Sequence, residues 1–75
     1  MESGLYRHYK GGVYQFLGIG QHTESKELMA IYVSLDASRE GPRIRIRPLG
    51  GPDGFLTPAV LDGRVVPRFE LVSSQ

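Results

Sequence analysis

The chain has no cysteine, so neither a disulfide framework nor a cysteine-ligated zinc can supplement its core. It lacks a helical signature as well: no stretch keeps apolar residues at three- and four-residue spacing for the ~10 positions a helix needs. No apolar run approaches the roughly 20 residues that cross a bilayer, and the opening "MESGLYRHYK" has no basic segment leading into an apolar one. These absences predict a soluble chain without membrane association, retained in the cytoplasm. A charge excess of one sign is missing too. Nine basic against eight acidic side chains leave a formal net charge of +1, whereas nucleic-acid binders normally carry a clear basic excess. Any charged surface must therefore be local.

What the chain does have is punctuation. Ten glycines and five prolines cut its 75 residues into short runs, and a chain of this length has room for one domain, which buries only about 60% of its unfolded surface. The expected domain is residues 1–75, ordered over about 4–72 with "SSQ" as a flexible tail. Residues 5–9 read as a first strand, Gly11-Gly12 as a two-residue hairpin turn and residues 13–22 as a second strand, bent or bulged at Gly18 and Gly20. Thr23 to Lys26 turn into a near-continuous apolar strand over 27–35, "DASREGP" is a loop, and "RIRIRP" over 43–48 is a further strand. "GGPDG" is a loop. "FLTPAVL" is a short strand limited by Pro58, Asp62-Gly63 is a second hairpin turn, and "RVVPRFELV" closes the chain with Pro67 interrupting it. Five or six short strands joined by tight turns predict an all-β fold, a small SH3-like barrel or roll with little or no helix.

Two patterns bear on orientation. In "RIRIRP" a period of two sends Ile44 and Ile46 to one face and Arg43, Arg45 and Arg47 to the other. Burying isoleucine is worth about 1.5–3 kcal/mol and burying unpaired arginine is prohibitive, so the expectation is isoleucines in and arginines out. In the opening hairpin, a two-residue turn pairs Tyr9 with Tyr14, His8 with Gln15 and Arg7 with Phe16. That register favours Tyr14 and Phe16 as core, with Tyr6 and His8 on the rim.

The candidate chemistry follows from these placements. Residues 39–75 hold six arginines and no lysine, and guanidinium pairs bidentately with carboxylate or phosphate and stacks on rings. Tyr6, Arg7, His8 and Tyr9, together with Arg45, Arg47 and Arg68, are the candidate binding residues of a non-enzymatic module. Its partner would be a peptide or an anionic ligand, with single-stranded nucleic acid as a variant using base stacking. The plainer reading has the tyrosines filling a small barrel with their hydroxyls at its rim. The alternative class is an enzyme, small-molecule or metal site centred on His8, His22 and Glu24, for which the spacing offers no recognisable motif. No cofactor is expected.

The segments "YRHYKG" (Tyr6 to Gly11), Leu17-Gly18, His22 with Thr23-Glu24, Arg47-Pro48 and Pro67-Arg68-Phe69 together resemble the bacterial family DUF1653, over Gly4 to about Leu71. The resemblance implies an SH3-type barrel and no established activity, substrate or cofactor. The chain departs from that pattern at Arg45, where the family tends to carry an aromatic residue, and in the longer "GGPDG" before Phe55.

Overall fold

The shape follows from where backbone with positive φ is available and from where six aromatic rings can meet. In the computed structural model, which describes residues 2–38 and 40–74, the chain forms β1 (Gly4–His8), β2 (Val13–Gln21), β3 (Leu28–Ser34), β4 (Ile44–Pro48), β5 (Ala59–Leu61), β6 (Arg64–Val66) and β7 (Phe69–Ser74). None of the described residues is helical. Five strands make one antiparallel sheet in the order β4-β3-β2-β1-β7, while β5 and β6 pair only with each other. The result is a small all-β roll. Its seventh strand arises because Pro67, which cannot donate to a ladder, divides the closing segment into β6 and β7, and these join different sheets.

The second hairpin turn is as expected: Asp62 (φ 51°) and Gly63 (φ 76°) both adopt positive φ, so that Leu61 pairs with Arg64. The first hairpin is not. Gly11 N donates to the His8 carbonyl (2.8 Å) and His8 N to the Gly12 carbonyl (3.0 Å), which makes Tyr9-Lys10-Gly11 a three-residue loop with Gly11 at positive φ (99°). Tyr6 therefore faces Tyr14, and Arg7 faces Val13. Against the expected pairing this is a shift of an odd number of residues, and an odd shift moves side chains to the opposite sheet face. Tyr6 consequently lies in the core, 7% exposed, beside Phe16, and not on the rim. A bulge at Leu17, between the Phe16–Tyr32 and Gly18–Ile31 pairs, accounts for the bend expected near Gly18.

The core is aromatic. Tyr6, Phe16, Tyr32, Phe55 and Phe69 are buried around Ala30, with Tyr14 packed against them. Phe55 and Phe69 stack at 4.1 Å with an 8° interplanar angle, and most of the other rings meet edge to face. Phe55 is delivered by the 50–57 loop. Its N–H donates to the Pro48 carbonyl (2.8 Å) and Leu56 N to the Leu49 carbonyl (3.0 Å). The loop closes so tightly that a Cβ on Gly54 would overlap the Gly50 backbone.

β4 is inverted relative to expectation: Ile44 and Ile46 are 62% and 65% exposed, whereas Arg45 and Arg47 lie opposite Tyr32 and Ala30 on the core side. The expectation assumed unpaired guanidinium groups, and that premise fails for Arg43 and Arg47, while Arg45 is only half-buried at the sheet edge. Arg47 lies over the Phe69 ring (5.5 Å to the centroid), and it donates from Nε to Tyr32 Oη (3.2 Å) and from Nη1 to the Asp53 carbonyl (3.0 Å). Arg43 donates from Nε and Nη2 to the Ser34 carbonyl. With Nε and Nη1 hydrogen-bonded and the rest of the group half-exposed, a flat guanidinium covers a ring face that an isoleucine would cover less completely.

Of the expected flexible tail, two residues fall within a strand. Ser73 and Ser74 belong to β7 and pair with Leu5 and Gly4, because the strand register continues past Val72, while Gln75 lies outside the described residues. Two substitutions separate the observed core from the expected one in urea unfolding. Phe69→Ala is expected to lower stability by about 3–5 kcal/mol, whereas Ile46→Ser should change it by no more than about 0.5 kcal/mol.

Candidate functional site

At one end of the roll, the β1–β2 tip approaches the β5–β6 hairpin and leaves an open groove of about 540 Å³. Arg7, His8, Tyr9, Lys10 and Gly11 line one side, Leu61, Val66 and Pro67 the other, and Glu70 of β7 completes it. The hairpin reaches this position because Pro67 ends β6, and Tyr9 N then bonds the Arg68 carbonyl (2.9 Å), fixing the connection to the tip.

Tyr9 is the one aromatic residue outside the core cluster. Cations flank it, Lys10 Nζ and Arg68 Cζ each lying 5.7 Å from its ring centroid. The His8 ring lies 4.7 Å from that of Tyr9 and meets Phe69 edge on at 4.9 Å. Its Nδ1 accepts a hydrogen bond from Lys10 N (3.2 Å), so the neutral ring carries its proton on Nε2. Burial lowers the His8 pKa below the ordinary histidine value, and the positive charges of Arg47, Arg68 and Lys10 lower it further. Arg68, 12% exposed, donates from Nε to the Thr57 carbonyl (3.1 Å). Its Nη2 stands 3.7 Å from the Asp53 carboxylate, but that carboxylate is 88% exposed and the pair is weak.

The seven candidate binding residues thus separate. Arg7, His8 and Tyr9 line the groove. Arg68 and Arg47 stand behind it against Tyr9 and Phe69. Tyr6 is in the core, its hydroxyl donating to the Glu2 carbonyl (2.6 Å) and its pKa raised by burial and by the Glu2 charge. Arg45 is on β4, at the opposite edge of the sheet from β7. The sequence reading missed Lys10, Leu61, Val66, Pro67 and Glu70. The available signal was the Asp62-Gly63 turn followed by Pro67, which marks a hairpin set apart from the sheet and free to form a wall.

The alternative centre on His8, His22 and Glu24 does not assemble. His8 adjoins the start of β2 and His22 follows its end, a separation on the order of 25 Å at the usual strand rise. His22 Nδ1 accepts from the backbone N–H groups of Glu24 and Ser25 (3.2 Å each), which makes it a turn residue. Among the described residues no group of three or more histidine, cysteine or acidic side chains could hold a metal ion. Nor, among the described residues, is any helix long and apolar enough to cross a membrane.

Residues 4–71 match the family model described as a protein of unknown function, DUF1653. The fold is similar to the crystal structure of a DUF1653 protein from Bordetella bronchiseptica, with 31% identity, a TM-score of 0.86 and coverage of 100% of this chain and 91% of that one. No curated protein gives a significant match.

A histidine whose folded-state pKa lies below its unfolded value binds fewer protons in the native state. The stability it contributes is complete above the unfolded pKa and is lost as pH falls through the folded one. The urea midpoint is therefore expected to decline between about pH 7.5 and pH 5.5, and His8→Gln should flatten that decline. A parallel NMR titration of His8 checks the direction of the shift.

Proposed function

Because the chain belongs to DUF1653, a family of proteins of unknown function, its role has to be read from its own surface, and we propose that it is a binding module whose groove holds a short extended peptide bearing a carboxylate. The observation that carries this reading is the combination at one groove of apolar walls and exposed cations. Leu61, Val66, Pro67 and the Tyr9 ring offer apolar surface, while Arg7 and Lys10 offer charge that no described ion pair neutralises. A peptide side chain can pack on the former while its carboxylate meets the latter. Single-stranded nucleic acid fits less well, since successive bases need successive free stacking rings, and beside Tyr9 the groove offers only the His8 ring, already packed against Tyr9 and Phe69. A cytoplasmic location is part of the reading, in keeping with a fold that holds together without disulfides.

Isotope-labelled protein titrated with short acidic peptides should show amide shifts concentrated at His8, Tyr9, Val66 and Glu70. The double variant Arg7→Glu, Lys10→Glu should weaken binding by about tenfold, or about 1.4 kcal/mol. Shifts scattered over the surface would remove the groove from consideration. Tighter binding of oligonucleotides, with a steep salt dependence, would favour the nucleic-acid variant.

A further inference from the structure

A second surface lies at the free edge of β4. Ser34 N donates to the Arg43 carbonyl (2.8 Å) and Leu49 N to the Leu28 carbonyl (2.9 Å). In an antiparallel ladder, residues that exchange hydrogen bonds alternate with residues whose N–H and C=O point the other way. The observed register, Ile44 with Val33, Arg45 with Tyr32 and Ile46 with Ile31, then turns the backbone groups of Arg45 and Arg47 toward β3 and those of Ile44 and Ile46 away from it. β4 is the last strand on its side of the sheet, so both N–H groups and both carbonyls of Ile44 and Ile46 are offered to a further strand. The offer is bounded. Pro48 has no N–H and its carbonyl is taken by Phe55, and Pro42 precedes the strand.

The side chains select the occupant. Ile44 and Ile46 project outward on the face that carries half-buried Ile31 and Val33. On the other face, Arg43 and Arg47 are committed to the Ser34 carbonyl and to Tyr32 and Asp53. Arg45 makes no hydrogen bond or ion pair among the described residues. A second copy of the chain is a poor occupant. Pairing Ile44 with the partner strand's equivalent of Ile46 would set Arg45 opposite its own copy and Arg43 opposite that of Arg47, and like charges directly opposite are destabilising. A strand reading apolar-acidic-apolar reverses each of these terms. Its carboxylate would sit across from Arg45 in the narrow, non-bonded pair, and its apolar residues would extend the isoleucine face. We propose that the β4 edge receives an extended apolar-acidic-apolar segment of another protein, added as a sixth strand beside Ile44, Arg45 and Ile46.

Hydrogen exchange of the intact chain with the capped peptide Ser-Val-Glu-Val-Ser tests this. At saturation, the Ile44 and Ile46 amides should exchange about tenfold more slowly, and a peptide with lysine at its centre should have no such effect. Arg45→Glu should reverse that preference. Ile46→Pro should abolish protection at Ile44 while leaving the Ala30 amide protected, since it deletes a donor that faces away from β3. The inference is overturned by unchanged exchange at Ile44 and Ile46, by equal protection from both peptides, or by protection that grows with protein concentration alone, which would assign the edge to a second copy. The groove variant Arg7→Glu, Lys10→Glu should leave this result unaltered.

Discussion

The Arg47 guanidinium lying over Phe69, itself stacked on Phe55, is the contact from which much else follows. A short chain without disulfides has to take its buried area from a few large side chains, and aromatic rings bury roughly 150–250 Å² each. Stacked rings at the end of a small core leave one face open to water. The guanidinium closes that face while keeping its N–H groups bonded to Tyr32 and Asp53. Once Arg47 points inward, the period of two carries Arg43 and Arg45 to the same side and Ile44 and Ile46 to the other. The exposed apolar edge is thus the consequence of a core that needed a flat cap.

The same cap reaches the groove. Phe69 supports Arg47 on one side and the edge of the His8 ring on the other, so the positive charge that completes the core also opposes protonation of the histidine. Arg68 acts in a comparable way, tying Thr57 of the aromatic-bearing loop to the Tyr9 ring. The electrostatics of the groove are therefore built from residues whose first duty is to close the fold.

Much of the architecture was legible because turns declare themselves locally. Asp62-Gly63 supplies positive φ at two successive residues, and Pro67, without an N–H for a ladder, separates β6 from β7. The sheet faces were not legible, for two distinct reasons. Gly11-Gly12 is compatible with two- and three-residue loops, and these place Tyr6 on opposite faces; the choice depends on whether Tyr6 can join Phe16 and Phe55, a long-range matter. The arginine and isoleucine orientation of β4 was argued from transfer energies of isolated side chains, which omit a ring face waiting to be covered. Within the site, Arg7, His8 and Tyr9 were found together because they are neighbours in the chain. Leu61, Val66 and Glu70 come from elements 50 residues and more downstream, and only the folded hairpin brings them there.

The first and last strands are neighbours, with Gly4 paired to Ser74, which sets the two extremities of the roll about 5 Å apart. A host polypeptide that entered at one would leave at the other, interrupted by no more than the width of a ladder. Close ends are the general condition under which circular permutation and domain insertion are tolerated, and here they lie on the adjacent strands β1 and β7, with the Asp62-Gly63 turn on a hairpin apart from the five-stranded sheet.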